Sequence, residues 1–72
     1  MEVQTAHTGR VIFYLPDKGY GYVRLEGTHE EFHFRTKNLR YTLPVADDLV
    51  TFTIRQTGQG YYADNISRAN LA

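Results

Sequence analysis

Two stretches of this chain carry residues that could do chemistry. His29-Glu30-Glu31-Phe32-His33 spells His-Glu-x-x-His. On a helix that pattern sets two imidazoles on one face to hold zinc beside a carboxylate base. Here the segment follows the turn residues Glu26-Gly27-Thr28 and reads as strand. Four residues of strand span about 13 Å, too far for two ligands of one zinc. No third ligand is evident, so neither a metal nor a catalytic residue is expected, and the chain is not read as an enzyme. The second stretch is Lys18-Gly19-Tyr20-Gly21-Tyr22-Val23. Alternation gives Tyr20, Tyr22 and Arg24 one face, and Gly19, Gly21, Val23 and Leu25 the other. Flat rings on a rigid strand beside a lysine suit single-stranded nucleic acid, because bases stack on the rings and phosphates meet the cation. The plainer alternative is a pair of half-buried tyrosines closing the end of a small barrel.

Neighbouring residues extend both readings. His33 on an exposed strand can stack on a base or bond a phosphate, or be an ordinary surface imidazole. Arg35, Lys37 and Arg40 follow it, with Arg10 and Lys18 as further cations for the same side. As a patch they would steer a phosphate backbone; otherwise they are the solvated rim of a loop. Tyr61-Tyr62 follow Gly58-Gln59-Gly60. Only one of the two can face a core; the other extends the stacking surface or covers a barrel end.

The elements that must position these groups are short strands. They are expected at Gly9 to Leu15, Gly19 to Leu25, Glu30 to Arg35, Leu49 to Ile54 and Tyr61 to Ser67. In the first, Val11 and Phe13 share one face and Ile12 and Tyr14 the other. Pro16-Asp17-Lys18-Gly19 is a turn, because proline presets φ while aspartate and glycine favour the bend. Residues 36–46 have no clean period and read as a loop with a short helical turn. Five strands punctuated by turns, without a helix-period segment, indicate an all-β fold. A single-domain, five-stranded antiparallel barrel is expected over 9–68, because closure removes exposed edges. A short leader (1–8) and a tail (69–72) flank it. The expected core is Val11, Val23, Leu25, Phe32, Leu39, Val50, Phe52, Ile54, Ala63 and Ile66.

Composition narrows the function classes. The 72 residues include no cysteine, which removes a disulfide framework or thiolate metal site. No apolar run approaches the roughly 20 residues that span a bilayer. The first residues lack a secretory signal's basic start and apolar run, so a cytoplasmic location is expected. Eight basic and eight acidic residues balance, which disfavours binding led by counterion release. Six tyrosines and four phenylalanines suit stacking-led binding instead.

Taken in order, Gly9-x-Val11-x-Phe13-Tyr14-x-x-Asp17-Lys18-Gly19-Tyr20-Gly21-Tyr22-Val23 resembles the opening of the cold-shock domain. The family pattern there is Gly-x-Val-x-Trp-Phe-Asn-x-x-Lys-Gly-Phe-Gly-Phe-Ile. Phe32-His33-Phe34, Val50-x-Phe52-x-Ile54 and Ala63-x-Asn65-Ile66 resemble its later segments, so the likeness runs from about Gly9 to Arg68. It implies an OB-type barrel that binds single-stranded RNA or DNA with low sequence specificity. Carried over by position, Phe13 stands for the stacking tryptophan, Tyr20 and Tyr22 for two phenylalanines, and His33 and Phe34 for the His-Phe of the second motif. Lys18 is the basic residue beside the phosphates, and Tyr41 takes the place of an aromatic in the long third loop. Glu31 stands where a phenylalanine is usual, Leu15 for an asparagine and Asp47 for a glycine.

The expected function is therefore a nucleic-acid-binding module using Phe13, Lys18, Tyr20, Tyr22, His33, Phe34, Arg35, Lys37 and Tyr41. It would act as an RNA chaperone or a regulator of gene expression. Its partner is single-stranded RNA or DNA, with no cofactor, membrane or small-molecule substrate. A monomer is expected, with self-association through the same face as a variant. The rival is a protein-interaction module on the same barrel, since tyrosine is also enriched at protein interfaces.

Overall fold

The computed structural model describes residues 6–69. It contains β1 (His7–Leu15), β2 (Tyr20–Leu25), β3 (Glu31–Arg35), β4 (Leu49–Thr57) and β5 (Gly60–Arg68), with a single 3₁₀ turn at Thr36–Asn38. The strands close in the order β1-β2-β3-β5-β4, the expected OB-type barrel. The pairing is mixed rather than wholly antiparallel. β3 and β5 run parallel through His33 and Tyr62, and the other four pairings are antiparallel. Five strands in a closed ring cannot all alternate in direction, so one neighbouring pair must be parallel. β1 begins at His7, inside the stretch expected as a leader, and His7 and Thr8 pair with Phe52 and Thr51 of β4; residues 1–5 of that stretch lie outside the described residues, as do 70–72 of the expected tail. Among the described residues no helix is long and apolar enough to cross a membrane.

The core comprises Val11, Val23, Phe34, Val50, Phe52, Ala63 and Ile66. Leu25, Phe32, Leu39 and Ile54, expected inside, are half-buried and pack around it. Phe34 is the main correction. It was expected to stack bases beside His33, yet its side chain is 0% exposed. Successive strand residues face opposite ways, so His33 and Phe34 cannot share a surface. His33 lies opposite Tyr22 and Phe34 opposite Gly21. A Cβ on Gly21 would meet the Phe13 carbonyl oxygen and stand 2.7 Å from Phe34 Cζ, so only glycine leaves room for that ring. Tyr14 covers it from β1, stacked at 5.8 Å and 17°.

Two bulges set which residues face outward. In β1 the register slips between Val11 and Phe13, so that Val11 lies opposite Val23 and Phe13 opposite Tyr22. Simple alternation would send Phe13 into the core after Val11; the extra residue, Ile12, turns it out. In β5 a second slip accommodates Asn65, whose φ is +52°. It lets both Ala63 and Ile66 reach the core despite their odd spacing.

Phe34→Leu should lower the free energy of unfolding by about 1 kcal/mol or more through lost contact and a residual void, while leaving oligonucleotide affinity intact. Urea unfolding beside a binding titration reads both. Gly21→Ala should cost at least about 2 kcal/mol by overpacking.

Candidate nucleic-acid interface

Three adjacent strands bring four rings together on the outer face. Phe13 comes from β1, Tyr20 and Tyr22 from β2, and His33 from β3. The Phe13 ring lies 5.5 Å from Tyr22 and 6.2 Å from Tyr20. His33 stacks on Tyr20 at 5.7 Å and meets Tyr22 edge-on at 5.5 Å. Phe13 is 37% exposed, and the other three are half-buried mainly against one another. Such a mutually supported cluster loses little side-chain freedom when a base lands on it, because its rotamers are already restricted.

Charge on this face is sorted by position. Towards the far ends of β1, β2 and β3, two carboxylates sit beside arginines: Arg24 reaches Glu31 at 3.4 Å and Arg10 reaches Glu26 at 3.6 Å. Glu31 is thus held by its cross-strand neighbour rather than aimed at a passing phosphate. The opposite end, at Tyr20, carries Lys18 in the β1–β2 turn, Arg35 directly across from Tyr20, and Lys37 in the 3₁₀ turn. No ion pair engages these three among the described residues. The turns that carry Lys18 and Lys37 are tied together. The Thr36 amide donates to the Gly19 carbonyl at 3.0 Å, and Thr36 Oγ1 lies 2.7 Å from the Tyr14 hydroxyl. Arg40 is not part of this group; its guanidinium donates to Asn65 Oδ1 at 2.8 and 3.2 Å. Arg10 is likewise held by Glu26 and by the Asp47 carbonyl.

A buried bridge fixes the 3₁₀ turn to the barrel. Asn38, 6% exposed, accepts from the Arg35 amide at 2.9 Å and donates to Asp64 Oδ1 at 3.0 Å. Asp64 Oδ2 accepts from Arg55 Nε at 2.7 Å. Burial alone would raise the Asp64 pKa, but the hydrogen bonds from Asn38, the Asn65 amide and Arg55 outweigh it and hold the carboxyl below its ordinary value.

Tyr41 does not join the platform, contrary to expectation. Its hydroxyl donates to Asp48 Oδ2 at 3.1 Å and its ring is capped by Arg68 at 5.1 Å. The phenol is spent on anchoring the long loop. Burial, reinforced by Asp48, pushes its pKa up to about 12. Of the other expected site residues, Phe13, Lys18, Tyr20, Tyr22, His33, Arg35 and Lys37 share one surface; Phe34 is inside. Neither Tyr61 nor Tyr62 enters the core. Tyr61 is 61% exposed on the β4–β5 hairpin, and Tyr62 lies half-buried beside His33. Alternation back from the buried Ala63 was the signal that Tyr62 faces outward.

Among the described residues no group of three or more His, Asp or Glu side chains converges as a metal site. His29 is exposed in the β2–β3 loop while His33 lies in β3, so the His-Glu-x-x-His string lacks the helix its chemistry needs. The chain matches no family model and no curated protein.

Alkaline titration followed by tyrosinate absorbance should show one phenol ionising near 12, and Asp48→Asn should lower that value. A raised native pKa means that its stabilising contribution is full below pH 10 and is lost as pH rises towards 12. The Asp64 contribution has the opposite sign: its pKa is depressed, so it is present at neutral pH and lost as pH falls below 3.8. Asp64→Ala should cost about 1–3 kcal/mol in urea unfolding, because it strands the buried Asn38 amide.

Proposed function

We propose that this barrel binds unpaired RNA or DNA by stacking bases on Phe13, Tyr20, Tyr22 and His33 while Lys18, Arg35 and Lys37 meet phosphates. The observation that carries the reading is the gathering of four rings from three strands on the outer face, with Lys18, Arg35 and Lys37 at one end in no ion pair among the described residues. Stacking is sequence-tolerant because every base has a π-face. A duplex hides those faces, so single strands, loops and frayed ends are the ligands. Holding bases unpaired would make the protein an RNA chaperone or a regulator of gene expression, a cytoplasmic role that agrees with the cold-shock resemblance in the ring-bearing strands. With about three phosphate contacts, the plot of log affinity against log salt should have a shallow slope near −2.

Exposed Leu43 and Val45, 67% and 60% accessible on the loop after the 3₁₀ turn, favour a second reading, a protein-interaction module. Excess oligonucleotide would leave a protein docked there in place.

Anisotropy of a labelled oligo-dT or oligo-U tests the main reading. Tyr20→Ala and Tyr22→Ala should each weaken binding about 5- to 100-fold, the range that stacking losses give. Absence of wild-type binding at low salt, or variants that bind as well as wild type, would contradict it.

A further inference from the structure

We infer that the platform selects RNA over DNA, and that the Tyr20 hydroxyl makes the choice by hydrogen bonding the ribose 2′-hydroxyl of a stacked nucleotide. The inference rests on the single-strand reading above and narrows its ligand. Tyr14 and Tyr41 spend their hydroxyls inside the fold, on Thr36 Oγ1 at 2.7 Å and on Asp48 Oδ2 at 3.1 Å. Within the platform, the hydroxyls of Tyr20 and Tyr22 have no hydrogen-bond partner among the described residues. Stacking does not need them, because a phenyl ring offers the same π-face. What a phenol adds is a group that both donates and accepts. The 2′-hydroxyl does both as well, and it is the group by which a protein tells RNA from DNA.

Position separates Tyr20 from Tyr22. A nucleotide is joined in the order base, ribose, phosphate, so a ribose lies where a stacked base and a held phosphate are neighbours. Tyr20 meets that condition. Its ring belongs to the platform, Arg35 lies directly across from it on β3, and Lys18 is in the turn just before it. Neither cation is in an ion pair among the described residues. Tyr22 instead has His33 across from it, and Arg24, the next cation along β2, is engaged by Glu31 at 3.4 Å. A phosphate there would compete with a carboxylate. The half-buried Tyr20 ring is fixed before any strand arrives, edge-on to Phe13 at 6.2 Å and stacked on His33 at 5.7 Å. A landing strand displaces water from its hydroxyl. RNA returns a hydrogen bond through the 2′-hydroxyl, whereas DNA offers only C–H there and leaves the phenol short of a partner.

The test is anisotropy with labelled oligo-U, oligo-dU and 2′-fluoro-oligo-U of one length on wild type, Tyr20→Phe and Tyr22→Phe. Uracil throughout holds the base constant, and the 2′-fluoro sugar keeps the pucker of ribose without the hydroxyl. Wild type should bind oligo-U about 2- to 10-fold more tightly than either other strand, the range that one net hydrogen bond gives. Tyr20→Phe should bind all three strands at the wild-type affinity for oligo-dU, while Tyr22→Phe keeps the preference. Equal wild-type affinity for oligo-U and oligo-dU, or tighter binding of oligo-dU, overturns the inference and leaves the stacking platform standing. A preference that the 2′-fluoro strand shares comes from sugar pucker and overturns it too, as does one that survives in Tyr20→Phe. Loss of the preference in Tyr22→Phe alone moves the contact to the other phenol and overturns the assignment to Tyr20. If wild type binds none of the three at low salt, the single-strand reading itself fails, and this inference with it. Both substitutions keep the ring and its packing, so the ratio between strands reads the hydroxyl rather than the fold.

Discussion

The missing side chain at residue 21 governs how this barrel is arranged. Because Gly21 has no Cβ, the Phe34 ring fills the space beneath it and β1 approaches closely from the side. That packing locks the registers of β1, β2 and β3 to one another. Register in turn decides which face each residue takes, since a one-residue slip inverts a strand. With Phe34 committed inside, Tyr20, Tyr22 and His33 must face out. The slip at Ile12 then brings Phe13 out to join them. The ring platform is thus the reverse side of the core packing rather than a separate construction.

Neutral overall charge conceals a polarised surface. The carboxylates Glu26 and Glu31 each sit beside an arginine, so their end of the platform presents little net field. Lys18, Arg35 and Lys37 stand together at the other end, and two structures keep them there. One is the tie between Thr36 and Gly19; the other is the Asn38–Asp64–Arg55 bridge below. Nearby exposed charges are screened over about 8–10 Å at physiological salt, so local arrangement outweighs the chain total. Stacking supplies most of the affinity in this account, and the cations orient the strand.

Much of this was legible in the sequence. The alternation Tyr20-Gly21-Tyr22-Val23 and the strand Val50-x-Phe52-x-Ile54 have a period of two that sets faces directly. The five-strand count and the turns at Pro16 to Gly19 and Gly58 to Gly60 were legible for the same reason. What escaped was long-range. Bulges at Ile12 and Asn65 depend on cross-strand register, which no local pattern announces. Phe34 was assigned outward by motif likeness although parity with Phe32 already placed it opposite to His33. Tyr41 lies in a loop without period, and its partners Asp48 and Arg68 are settled only when the loop is packed. The parallel β3–β5 seam, which puts Tyr62 beside His33, follows from the odd strand number once closure is granted.

Side-chain NMR of the protein with labelled aromatic residues, titrated with oligo-U, tests the central claim most directly. The account predicts ring-current shifts at Phe13, Tyr20, Tyr22 and His33 that saturate together, with Tyr41 essentially unmoved. Saturable binding that shifts Tyr41, Leu43 or Val45 while the four platform rings stay still would contradict it.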